Sequence, residues 1–141
     1  MKLKVTTVDV WAAGIRDQVG GLTEKLAALT AVGSKLEFIV ARREPGRPGK
    51  GVVFVTPLKG AKQVKAAEVA GFLRTGSLHS VRVEGTDKPG LGAKMSKALA
   101  GAGINLRGLS GAAIGTKFVC YLALDTAEDA RKATNILEKL A

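Results

Sequence analysis

Two short segments 70 positions apart, Asp17-Gln-Val-Gly20 and Asp87-Lys-Pro-Gly90, constrain the architecture of this chain more than any other feature. Each opens a stretch of helical character, and each stretch closes on a glycine, Gly33 in the first and Gly103 in the second, with the offset kept. A period of this size in 141 residues leaves room for two copies of one small unit. An isolated unit of that length buries a modest share of its surface, so the copies are expected to share an interface.

The order of elements repeats as well. Residues 3–12 alternate as a strand, with Leu3, Val5, Thr7, Asp9 and Trp11 on one face. Leu22, Leu26 and Leu29 then recur at helical spacing up to Gly33, a natural stop. Leu36, Phe38 and Val40 alternate with Glu37, Ile39 and Ala41. The segment from Glu44 to Gly51 is a Pro- and Gly-rich turn, and Val52 to Val55 reads as a β-branched strand. A second helix is expected from Lys62 to Phe72, burying Val64, Ala67 or Glu68, and Phe72.

In the second copy Ser80 to Glu84 ends a strand, and Leu91, Met95, Ala98 or Leu99, and Ala102 line a helix. Ile104 to Leu109 begins a strand, Gly115-Thr116 turns it, and Phe118, Cys120, Leu122 and Leu124 alternate. Asp125 or Thr126 caps a last helix with Glu128 and Asp129 in its first turn and Lys139 in its last. The fold class expected is α+β: two ferredoxin-like βαββαβ repeats, residues 1–72 and 73–141, with antiparallel sheets and helices on one face. The closing strand of each repeat is short or supplied by the chain leading into the next one. The third strands are apolar on both faces, which points to a sheet whose second face is partly covered by the sister repeat or another chain.

Composition narrows the functional classes. The hydrophobic fraction of 46% and charged fraction of 24% are those of a soluble globular chain. Lys2, Lys4 and Asp9 stand where a signal peptide needs an apolar core, and no apolar run approaches a membrane span, so the cytoplasm is the default location. The net charge of +10 invites a nucleic-acid reading. Residues 1–72 carry twelve Lys and Arg against six acids, and residues 73–141 ten against six, so the charge is spread rather than concentrated in a tail. Its nearest approach to a cluster is Arg42, Arg43, Arg47 and Lys50, followed by Lys59, Lys62 and Lys65. Solvated surface is the preferred reading of that run.

No catalytic constellation or cofactor motif emerges, and the chain is expected not to be an enzyme. His79 is the single histidine and reads as a strand-end residue; Cys120, the single cysteine, lies in an apolar strand and reads as core. Acylphosphatases share this fold plan and use an arginine and an asparagine. Arg16 stands in the corresponding first loop, but a glycine-dense phosphate cradle is missing.

What remains is the pair of strand-to-helix loops. Proline near a helix start loses no hydrogen bond, glycine admits close approach to the backbone, and the free N–H groups there suit a carboxylate. As a bland alternative, Asp-x-Pro-Gly is only a turn and cap. Two copies at one structural point favour a binding loop.

Val83 to Gly90, followed by a helix and Ala102-Gly-Ile-Asn105-Leu, resembles the signature of the ACT domain family along the whole second repeat. The first repeat departs from it, with Val19 in place of the proline and Lys35 in place of Asn105. The resemblance implies a stand-alone tandem ACT protein with a regulatory or sensing role. Such domains pair side by side, their sheets join, and small ligands, amino acids above all, bind at the domain interface. Carried over residue by residue, the implied ligand site comprises Asp87, Pro89, Gly90, Leu91 and Asn105, with Asp17, Gly20, Gly21 and Leu22 as weaker counterparts. Loop N–H groups would take a carboxylate, and Asp17, Asp87 or the Asn105 amide an ammonium. A homodimer and a partner enzyme are implied, and no metal. The rival reading is a ligand-free interaction module that regulates a partner enzyme. Ser110 to Gly115, all small side chains but Ile114, is either an edge strand with a bend or a place of close approach.

Overall fold

The computed structural model describes residues 2–74 and 79–140. The chain forms two compact units, Asp9–Thr75 and Met1–Val8 with Gly76–Ala141. Each is a four-stranded antiparallel sheet with two helices, the two ferredoxin-like repeats that the sequence predicts.

The first strand departs from expectation. Strand β1 (Lys4–Val8) ends before Asp9, and a separate strand β2 (Trp11–Arg16) starts the Asp9–Thr75 unit. A single strand over residues 3–12 is therefore corrected to two strands in different sheets. Leu3, Val5, Trp11 and Ala13 share one parity and are all buried, but Thr7 and Asp9, at the same parity between them, are exposed. An interior face does not accept an unpaired carboxylate, so the alternation breaks there.

In the Asp9–Thr75 unit, β2 leads into α1 (Gly21–Thr30), then β3 (Phe38–Arg43), β4 (Lys50–Thr56), α2 (Gly60–Val69) and a two-residue β5 (Leu73–Arg74). The sheet order is β3-β4-β2-β5. Trp11, Ala13, Val53 and Val55 pack from the sheet onto Leu29, Ala67 and Phe72. The helix ends follow from glycine. At Gly33 the backbone turns left-handed (φ 74°), and the Ser34 N–H donates back to the Leu29 carbonyl at 3.1 Å.

The other unit holds β6 (His79–Thr86), α3 (Leu91–Gly101), β7 (Leu106–Ile114), β8 (Lys117–Leu124) and α4 (Ala127–Glu138). Its sheet order is β1-β6-β8-β7, so β1 flanks β6 as β5 flanks β2. Lys4 stands opposite Glu84 and Val8 opposite Ser80. The closing strand thus comes from the N-terminus, and the expected boundaries 1–72 and 73–141 do not coincide with the compact units. Val81, Val83, Cys120, Leu122 and Leu124 face Met95, Leu99, Ala133 and Leu137, all essentially without exposure. Each such side chain contributes about 1.5–3 kcal/mol on burial when it is a Val, Leu or Met.

One alternative left open by the sequence is resolved. The α4 cap is Thr126, whose Oγ accepts from the Asp129 N–H at 3.0 Å. Ser110 to Ile114 lies in the edge strand β7, and the irregularity of that strand falls earlier, between Leu106 and Gly108. A Cβ on Gly111 would stand 3.2 Å from Phe118 and 3.3 Å from Cys120, so the small residue lets β8 pack its ring inward. His79 opens β6, and Cys120 is buried, its thiol pushed up to about 11 by desolvation. No helix among the described residues is long and apolar enough to cross a membrane.

Candidate ligand-binding site

The two strand-to-helix loops share one backbone design. Gly20 and Gly90 are the residues before α1 and α3, and both are left-handed, with φ of 84° and 81°. The Gly21 N–H donates to the Gln18 carbonyl at 3.0 Å, and the Leu91 N–H to Lys88 at 3.2 Å. Asp17 and Asp87 tie their own N–H groups to the neighbouring hairpin, at Gly49 (3.1 Å) and Thr116 (2.8 Å). No side chain caps either helix, in contrast to α4. The second and third amides of each helix therefore point outward without an intrahelical acceptor.

Around the Gly90 loop the chain forms a cavity of about 150 Å³ lined by Leu3, Thr86, Lys88, Pro89, Gly90, Leu91, Lys94 and Leu140. Three predicted residues, Pro89, Gly90 and Leu91, come together in it. Asp87 is exposed beside the loop and does not line it. Leu3, Thr86, Lys88, Lys94 and Leu140 were not anticipated. Lys88 lies inside the motif and Lys94 one helical turn on, so both were within reach of a reading by position. Leu3 immediately precedes β1 and Leu140 follows α4, and no local pattern connects either to the loop.

Asn105 lies elsewhere in its own unit. It precedes Leu106, which aligns through Leu124 with His79, the first residue of β6. The Gly90 loop follows Thr86 at the far end of β6, aligned through Lys117 with Ile114. Loop and asparagine are separated by the length of the strand, roughly 25 Å.

In the first repeat the loop is occupied by its own contacts. Arg43 Nε lies 2.9 Å from an Asp17 carboxylate oxygen. Gly21 is buried, and a Cβ there would stand 2.1 Å from the Arg16 carbonyl oxygen, so only glycine fits. Leu22 is half-buried against the core of its unit. Among the described residues no three metal-ligating side chains gather.

No protein-family model and no curated protein matches the chain. Solved structures do. The regulatory subunit of aspartate kinase from Thermus thermophilus, in its ligand-free form, is 20% identical with a TM-score of 0.67, covering 99% of this chain and 97% of that one. A protein from Bacteroides thetaiotaomicron gives a TM-score of 0.78 at 14% identity, over 93% and 88%. Aspartate kinase from Clostridium acetobutylicum matches 95% of this chain with only 33% of its own, at 15% identity and a TM-score of 0.59. At these identities the likeness is one of fold. The architecture is the ACT-type pair found in aspartate kinase regulatory domains.

Proposed function

We propose that this chain is a regulatory protein that works by binding a small molecule, an amino acid, and not by catalysis. The observation that carries this reading is the cavity at Pro89, Gly90 and Leu91, whose lining joins two basic residues, Lys88 and Lys94, to two apolar ones, Leu3 and Leu140. Lysine side chains suit a carboxylate, and the leucines suit an aliphatic side chain. A cavity of this size holds a body about as large as benzene. The likeness to aspartate kinase regulatory subunits, and the match to one third of a whole aspartate kinase, support a role in controlling an enzyme.

Asn105 enters this reading through a second copy. Because it lies at the other end of the sheet from the loop, a site using both would draw the loop from one protomer and the asparagine from another. Thermal-shift screening of the common amino acids tests the proposal. The expected result is a rise in melting temperature with one or a few of them, abolished in Lys88→Glu. No shift at millimolar concentration, with co-purification of a stoichiometric protein, would favour the ligand-free interaction module instead. Exposed Leu109 and Ile114 on edge strand β7 speak for that second reading.

A further inference from the structure

Charge that is spread along the sequence is gathered by strand register in the Asp9–Thr75 unit. Arg16 ends β2 directly opposite Lys50, which begins β4. Across β4, Arg42 of β3 pairs with Val52, two residues along from Lys50. Side chains alternate between faces, and Ala13, Val53 and Val55 are buried in the core. Arg16, Lys50 and Arg42 therefore project together from the face turned away from it. All three are exposed, and among the described residues none has an acidic partner. The acids at this end of the sheet are engaged elsewhere, Asp17 by Arg43 and Glu44 by Arg47.

Like charges directly opposite each other on neighbouring strands repel. A polyanion laid across the strands would relieve that repulsion. The same face continues into the cross-strand row Ala12, Phe54 and Val40, with the half-buried Phe54 ring on a central strand.

We propose that this face binds single-stranded nucleic acid, with Arg16, Arg42 and Lys50 holding phosphates and Phe54 supporting a base. Two of the three cations are arginines, whose planar forks match phosphate oxygens. An aromatic ring beside them stacks on a base and has no comparable use for an acidic peptide. The face is a sheet surface, which suits splayed bases better than the groove of a duplex. None of these residues lines the cavity at Gly90, so the proposal stands apart from the small-molecule reading.

The test is fluorescence anisotropy of the full chain with a labelled mixed-sequence single-stranded 12-mer, at low and near-physiological salt. Expected is binding that weakens steeply with salt, and in the Arg42→Glu/Lys50→Glu variant a salt slope reduced by about 1.4, from two lost phosphate contacts. Phe54→Leu, which keeps apolar bulk and loses the flat ring, should weaken binding about fivefold. Lys97→Glu/Lys139→Glu makes the same change in net charge on the helices and should leave affinity within about twofold. Equal losses in the two double variants, no binding at low salt, or equally tight binding of poly-glutamate would each overturn the proposal. Thermal melts of every variant separate these outcomes from misfolding.

Discussion

The Nε of Arg43 lies 2.9 Å from one carboxylate oxygen of Asp17 and 3.2 Å from the other, tying the β3–β4 hairpin to the loop before α1. Among the described residues the Asp87 carboxylate has no such partner. The repeats therefore share a loop backbone and differ in what they leave free, and the loop carrying Pro89 lines a cavity.

The Arg43 side chain is 83% exposed and that of Asp17 34%, so the pair should matter little to stability. A double-mutant cycle with Asp17→Asn and Arg43→Gln, followed by urea denaturation, is expected to give a coupling energy of about 0–1 kcal/mol. A larger value would mean that the loop is held in place by this contact rather than by its backbone hydrogen bonds.

Glycines near the two helix starts should respond in opposite ways. Gly21→Ala forces a methyl onto the Arg16 carbonyl oxygen, and the expected loss is about 3 kcal/mol or more. Gly92→Ala meets nothing within 4 Å and should be neutral or stabilise by roughly 0.4–1 kcal/mol, by restricting the unfolded chain. Chemical denaturation of both variants provides the comparison.

Removing residues 1–8 deletes β1 and takes Leu3 and Val5 out of the core of the C-terminal unit. Hydrogen exchange should then show β6 amides losing protection, while the β2 and β4 amides keep theirs. Equal loss in both sheets would contradict the topology described above.

The Arg82 guanidinium, hydrogen-bonded to Glu84, holds that carboxyl below its ordinary value of 4.5. A carboxyl depressed on folding contributes stability that is present above its unfolded value and lost as pH falls through the folded one. The lead of the wild type over Glu84→Gln in melting temperature should therefore be constant from neutral pH to about 5 and shrink below the ordinary carboxylate range. A lead unchanged by acid would assign it to packing.

Much of this fold was legible because its punctuation is glycine. Gly33 and Gly103 end their helices with equivalent turns, since Ile104 donates to Leu99 at 3.0 Å as Ser34 does to Leu29. Leu29 and Leu99, at helical spacing within their segments, both proved buried. The division of residues 3–12 was hidden because Thr7 and Asp9 keep the parity of the apolar residues on either side. The pairing of β1 with β6 left no local trace, as a strand's pattern names the face it buries and not the neighbour it joins. For the same reason Leu3 could not be assigned to the cavity. Gly21 was singled out as a ligand contact by resemblance, and its buried place against Arg16 gives it a structural role.

Strand β1 also sets an order of events during synthesis. Lys4 and Glu84 pair across a stretch of chain that contains the whole Asp9–Thr75 unit. The ribosome releases the first strand of that sheet long before its neighbour exists, while the intervening unit has all its own strands in hand and can close first. Until residues 79–86 emerge, Leu3 and Val5 have no core to enter. Strand β1 is made before the Asp9–Thr75 unit and can be placed only after it, and the window for mispairing or chaperone capture falls on that strand.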